Sequence, residues 1–113
     1  MRISDTDLLL DHQMISVFKV IAGERAGEVF EIQNVEEQEI GLGRIQDNEF
    51  VIDDPLVARR HAQIILRGKH LFVVDLGTHN GTFLNSSRIV EHSSQLVKSG
   101  DQIKIGSTVL EII

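Results

Sequence analysis

The chain has 113 residues, 42% of them hydrophobic, and a formal net charge of −6. That length suits one filled core, and no run nears the roughly 18 apolar residues of a membrane-spanning helix. The absence of cysteine excludes a disulfide framework, a thiolate zinc site and a cysteine nucleophile. The acidic balance argues against a sequence-independent hold on nucleic acid, which needs basic residues to displace condensed counterions. Aromatic residues are 4% of the chain and all are phenylalanine, a poor stacking platform for bases.

Residues 1–13 differ in character from the rest of the chain. Asp5, Asp7 and Asp11 surround a short apolar patch, Leu8 to Leu10, with no basic region ahead of a long apolar stretch, so this is not a signal peptide. A flexible acidic tail over 1–13 and one folded domain over 14–113 are expected, in a cytoplasmic protein. From there the chain turns β-rich. Ile15–Ile21 and Glu28–Ile32 alternate apolar and polar residues across a glycine-containing turn. Further strands are predicted at Glu39–Gly43, Phe50–Ile52, Ala62–Arg67, Leu71–Leu76, Thr82–Leu84, Arg88–Val90, Gln102–Ile105 and Val109–Ile112. Clusters of Gly, Asn, Asp, Ser and Pro separate them, and no apolar run has a helical period. Such spacing predicts an all-β fold, a sandwich or barrel, whose loops rather than strands carry the chemistry. The loops richest in polar and glycine residues are Gly41 to Asn48, Asp53 to His61 and Gly77 to Asn85.

Gly41-Leu42-Gly43-Arg44 is glycine-rich but is not a dinucleotide fingerprint, because Gln46 stands where the third glycine belongs and no helix comes after it. Read alone, Arg44 is a solvated charge delivered by a strand end. Arg59 and Arg60 concentrate positive charge on one loop of an acidic chain, and His61 marks the passage into the next strand. No second histidine or carboxylate stands at ligand spacing from His61, so no metal is expected. In Asp75-Leu76-Gly77-Thr78-His79-Asn80-Gly81-Thr82-Phe83-Leu84-Asn85, the Asn80-Gly81 pair asks for a turn with positive φ. A turn alone would not need the flanking threonines and the second asparagine.

In this order and spacing, these pieces resemble the forkhead-associated domain, a phosphothreonine-recognition module. The likeness runs over nearly all of Ile15 to Ile113 and extends to Leu96-Val97-Lys98-Ser99-Gly100-Asp101-Gln102-Ile103, similar to the family's Gly-Asp-x-Ile close. It implies a two-sheet β-sandwich of about eleven mostly antiparallel strands, gripping a phosphothreonine peptide with loops at one end. Arg44 would contact the phosphate, Asn80 would fix the ligand main chain and His61 would hold the loops in shape. Gly43, Gly81 and Asn85 would support the site, and Arg59 would reach the phosphate or ligand more readily than Arg60. The first role has an independent warrant: a guanidinium offers a donor fork that matches phosphate oxygens.

Two positions depart from the family pattern. The serine whose hydroxyl usually donates to the phosphate is replaced by Ala58, and the residue before the key asparagine is His79 rather than threonine or serine. A hydrogen bond to a charged group contributes about 1.5–3 kcal/mol, so losing one weakens binding roughly ten- to a hundredfold. A protonated His79 beside a phosphate would offset that loss with a charged donor. Two readings stay open: a phosphate reader with a rearranged pocket, or a domain that kept the scaffold and serves phospho-independent assembly or oligomerisation.

Within the tail, Thr6 lies between two aspartates with Leu9 three residues on, and a phosphorylated Thr6 is a candidate ligand for this domain or a neighbouring copy. No hydrolase, zincin, P-loop or kinase signature is present, so the chain is expected to be no enzyme and to need no cofactor. Asp53 and Asp54 are adjacent and would face opposite sides of an extended chain, and Asp75 is expected to pair with His79 in a turn. The chain stops at Ile113 inside its expected last strand, so an attached effector domain is expected in a longer protein.

Overall fold

The structure, a computed structural model, describes residues 15–33 and 37–113. The expected tail and Thr6 lie outside those residues. The strands in chain order are β1 (Ile15–Ala22), β2 (Val29–Gln33), β3 (Gln38–Gly43), β4 (Phe50–Val51), β5 (Ala62–Arg67) and β6 (His70–Asp75). They continue with β7 (Thr82–Leu84), β8 (Ser87–Arg88), β9 (Gln95–Val97), β10 (Gln102–Ile105) and β11 (Thr108–Ile112). One sheet has the order β2-β1-β11-β10-β7-β8 and the other β4-β3-β5-β6-β9. All the pairings described are antiparallel except β3 with β4.

Alternation explains the packing. In β5, Ala62, Ile64 and Leu66 point inward, and in β11, Thr108, Leu110 and Ile112 do the same. Phe18, Leu42, Ile64, Leu66, Ile103, Ile105 and Leu110 form the fully buried centre between the sheets. Phe50 bridges the layers: it stacks on Phe30 at 4.4 Å and meets Phe18 edge-on at 5.6 Å.

Two elements differ from the sequence reading. Strand β9 was not expected, because Gln95–Val97 comes after the polar run His92-Ser93-Ser94 and is too short to show alternation; only pairing with β6, Phe72 opposite Leu96, makes it a strand. The strand expected at Arg88–Val90 is instead Ser87–Arg88. Asn85 and Ser86 both have positive φ, 49° and 74°, and this two-residue turn sets Leu84 opposite Ser87 and Phe83 opposite Arg88. Val90 lies beyond the pairing and is exposed.

The topology brings the loops β3–β4, β4–β5 and β6–β7 to one end, together with the β10–β11 turn. Asp54 ties that end together. It is buried while Asp53 is exposed. One Asp54 oxygen accepts from Leu56 N at 2.9 Å; the other accepts from Ser107 N, Ser107 Oγ and Thr108 Oγ1 at 2.9, 2.8 and 2.9 Å. The β4–β5 loop of one sheet is thereby fastened to the β10–β11 turn of the other. Burial alone would raise the Asp54 carboxyl, but these donors outweigh it and hold it below the usual carboxylate range.

A carboxyl with a depressed native pKa adds stability above its unfolded value of about 3.9 and loses it as pH falls through the native value. Asp54→Ala should therefore lower the unfolding free energy by about 3 kcal/mol at neutral pH. Urea unfolding checks this: the gap between parent and variant should narrow as pH drops below about 4.

Candidate functional site

Close backbone approach builds the site. Gly43 ends β3 against the carbonyl of Arg59, and a Cβ there would stand 2.9 Å from the Arg59 carbonyl carbon and 2.7 Å from Asn48 Nδ2. Only glycine lets the two loops meet. Arg44 N then donates to Ala58 O at 3.0 Å, and the buried Asn48 side chain donates to Ile45 O and Arg59 O, both at 2.8 Å. The Arg44 side chain takes the same direction as its backbone: Nε donates to the carbonyl of the buried Val57 at 3.0 Å. The rest of the guanidinium has no hydrogen bond or ion pair among the described residues.

His61 is completely buried just before β5. Its Nδ1 accepts from Ala58 N at 3.0 Å and its Nε2 donates to Gly81 O at 2.9 Å, which defines the tautomer. One ring thus joins the β4–β5 loop to the β6–β7 loop. Asp75, at the end of β6, organises the second of these loops. Its Oδ1 accepts from Thr82 Oγ1 at 2.6 Å and Thr78 Oγ1 at 2.8 Å; its Oδ2 accepts from the Gly77 and Thr78 amides, both at 3.0 Å. Burial raises this carboxyl, and the four donors, led by Thr82, overcome that and hold it low. The expected Asp75–His79 pair does not form: Asp75 turns inward to hydroxyls and amides, while His79 is exposed and its ring has no partner among the described residues.

Asn80 donates from Nδ2 to Leu56 O at 2.9 Å, a second stitch between the same loops. Gly81 has φ +81°, and a Cβ on it would meet Arg88 Nε at 2.5 Å. Arg88 lies over that glycine and donates from Nη2 to His79 O at 3.2 Å and Thr78 O at 3.4 Å. Between the loops lies a concavity of about 220 Å3 lined by Arg44, Leu56, Ala58, Thr78, His79 and Asn80, among others.

Arg44, Ala58, His79 and Asn80 are therefore brought together around one hollow, with Gly43, His61 and Gly81 in the backbone that frames it. Arg59 is exposed and does not line the hollow. Arg60 is turned away into an ion pair with Asp47 at 2.8 Å. Asn85 does not belong to the site. It stands at the far end of β7, giving a hydrogen bond to Asp101 Oδ1 at 3.0 Å and accepting one from Gln102 N at 2.9 Å. Sequence reasoning missed Asn48, Asp54, Asp75, Thr78 and Arg88 as organisers of these loops. For Asp75 a signal existed, since an aspartate two and three residues before Gly77 and Thr78 has the spacing of a side-chain-capped turn. For Arg88 there was none, because its contacts cross a hairpin.

A model of the FHA domain family matches residues 40–106, more than half of the chain. The chain belongs to the forkhead-associated (FHA) family. FhaB of Mycobacterium tuberculosis is 34% identical over 76 residues, covering 67% of this chain and 48% of that protein. A protein of Corynebacterium jeikeium named oxoglutarate dehydrogenase inhibitor is 34% identical over 84 residues, covering 74% of this chain and 54% of its own. The chain spans about half the length of these curated relatives. Among solved structures, the FHA domain of an Arabidopsis thaliana protein superposes with a TM-score of 0.79 at 29% identity, covering 87% of this chain and 83% of that one. Mycobacterium tuberculosis EmbR, solved with a low-affinity phosphopeptide, gives 0.76 at 25% identity over 96% of this chain and 28% of its own.

In this FHA domain, His61→Ala would leave Ala58 N and Gly81 O without their partner. The expected cost is about 3 kcal/mol in urea unfolding. Amide exchange should accelerate at Ala58 before it does in the central strands.

Proposed function

We propose that this FHA domain recognises phosphothreonine in a partner protein, with Arg44 as the principal phosphate contact. The observation that carries this reading is the geometry of Arg44. Its Nε is spent on Val57 O, so the side chain is held in place where it lines the hollow, while the outer guanidinium nitrogens have no hydrogen bond or ion pair among the described residues. A fixed fork of this kind suits a dianionic phosphate, because little conformational entropy is lost on binding.

The other donors are limited. Ala58 has no hydroxyl and its amide is committed to His61. The Thr78 hydroxyl is committed to Asp75 and to Gly81 N. Asn80 has used one Nδ2 hydrogen on Leu56 O, which leaves the second to donate to a ligand carbonyl and Oδ1 to accept a main-chain N–H. His79 is the hollow's side chain left to supplement Arg44, with Arg59 exposed on the adjoining loop outside it. The domain is thus a phosphate reader of reduced affinity, and Ala58 is also the observation that favours the second reading, a phospho-independent scaffold or oligomerisation module.

No helix among the described residues is long and apolar enough to cross a membrane. The regulatory names of its relatives, a glycogen accumulation regulator and an oxoglutarate dehydrogenase inhibitor, support a regulatory rather than catalytic role. We place it in the cytoplasm, within a longer protein whose attached domain it regulates. Its ligand is a phosphothreonine protein or the phosphorylated Thr6 of a copy of this chain.

Calorimetric titration of matched phosphothreonine and unmodified peptides tests the proposal. The phosphorylated form should bind at least about tenfold tighter, and Arg44→Ala should remove that advantage. Ala58→Ser should strengthen phosphopeptide binding by roughly ten- to a hundredfold, with no gain for the unmodified peptide. Equal affinity for both peptides, at about pH 6 as well as about pH 8, would leave the scaffold reading in place. His79→Ala, at a side chain that lines the hollow, should weaken phosphopeptide binding more than binding of the unmodified peptide.

A further inference from the structure

The end of the sandwich opposite the Arg44 hollow carries a second concavity that phosphate recognition does not use. It has a volume of about 400 Å3 and lies between the edge strand β9 and the ends of β1 and β11. Its apolar wall includes Leu71, Leu96 and Ile113, with Leu96 57% and Ile113 60% exposed. Lys69 and Lys98 stand at its rim with His70 beside them. Among the described residues, β9 pairs with β6 alone, so it stands at the edge of its sheet.

We infer that this groove is the docking site of the chain's own N-terminal segment Asp7-Leu8-Leu9-Leu10-Asp11. Three observations select this occupant. Ser16, one residue into β1, lines the groove, so β1 begins at the groove's wall. Leu10 precedes Ile15 by five residues, and an extended chain spans about 3.3 Å per residue, so the leucines reach any part of a hollow this size. The patterns also complement each other: three leucines between two aspartates face an apolar wall between two lysines. A tether this short keeps the segment at an effective concentration of order millimolar, enough for a small apolar contact to be occupied. Docking there would hold Thr6 at the end of the domain away from Arg44. A phosphorylated Thr6 would then be presented to a neighbouring copy rather than to its own hollow.

The inference is independent of phosphate binding and is tested without any phosphopeptide. The chain has no cysteine, so Ser4→Cys creates a single site for a nitroxide spin label. In the full chain carrying this label, amide signals of residues 69–71, 96–99 and 112–113 should lose intensity, while those of Arg44, Ala58 and Asn80 should not. Leu8→Ser with Leu10→Ser should restore the lost signals, and so should Leu96→Asp with Lys98→Glu, whose fold is checked by its unchanged core shifts. Uniform broadening, or broadening centred on Arg44 and Asn80, would overturn the inference. So would loss of signal in an unlabelled chain mixed with the labelled one, since the occupant would then be a second copy.

Discussion

The loop end that holds the Arg44 hollow depends on a hydrogen-bonded imidazole with no contact to solvent. His61 stands immediately before β5, and its two ring nitrogens join Ala58 in one loop to Gly81 in another. The second of those loops crosses from one sheet to the other, so the ring sets how the layers meet where the hollow opens. Histidine suits this position because one nitrogen accepts while the other donates in a single tautomer. A lysine or asparagine would offer neither that planar span nor that pairing of roles. Around the ring the chain has little freedom: Gly43 must lack a side chain, and Asn48 closes the same corner from the other side.

Two buried carboxylates complete the frame in the same way. Asp54 gathers donors from the β10–β11 turn and its own loop, and Asp75 gathers two hydroxyls and two amides of the β6–β7 segment. Among the described residues neither has a cation close enough to neutralise it by direct contact; His61 Nε2 is 3.9 Å from Asp75. Charge is tolerated there because each oxygen is solvated by the protein's own N–H and O–H groups, which also explains why both carboxyls stay ionised despite burial. The result is a rigid loop cluster with Arg44 poised at its rim. On the proposed reading, the net charge of −6 does not prevent one arginine from meeting a single phosphate.

Much of the fold was legible in the chain because alternation and breakers are local signals. Ala62 to Arg67 and Val109 to Ile112 announce half-buried strands by themselves, and the breaker clusters mark the turns between them. β9 was not legible: it is short and owes its existence to its neighbour β6. Glycine, arginine, histidine and asparagine in order pointed to loops that the fold brings together around one hollow. The resemblance also put Asn85 there, as the last residue of the motif, yet β7 carries Asn85 to the other end of a strand. Reading along the chain paired Asp75 with His79 by proximity, although the hydroxyls of Thr78 and Thr82 are the better partners for a carboxylate that water cannot reach.

What the sequence determined by itself was the class of fold, the family pattern and the missing hydroxyl at position 58. These depend on which residue stands where, and burial does not alter them. What only the tertiary structure decided was how the donors are spent. The Ala58 amide goes to His61, the Thr78 hydroxyl to Asp75, one Asn80 amide hydrogen to Leu56, and Arg60 to Asp47, while among the described residues the outer nitrogens of Arg44 remain uncommitted. That allocation cannot be read along the chain, because each partner arrives from a different strand or loop. Hydrogen bonds are directional and short, so a folded neighbour within about 3 Å decides which group is left for a ligand.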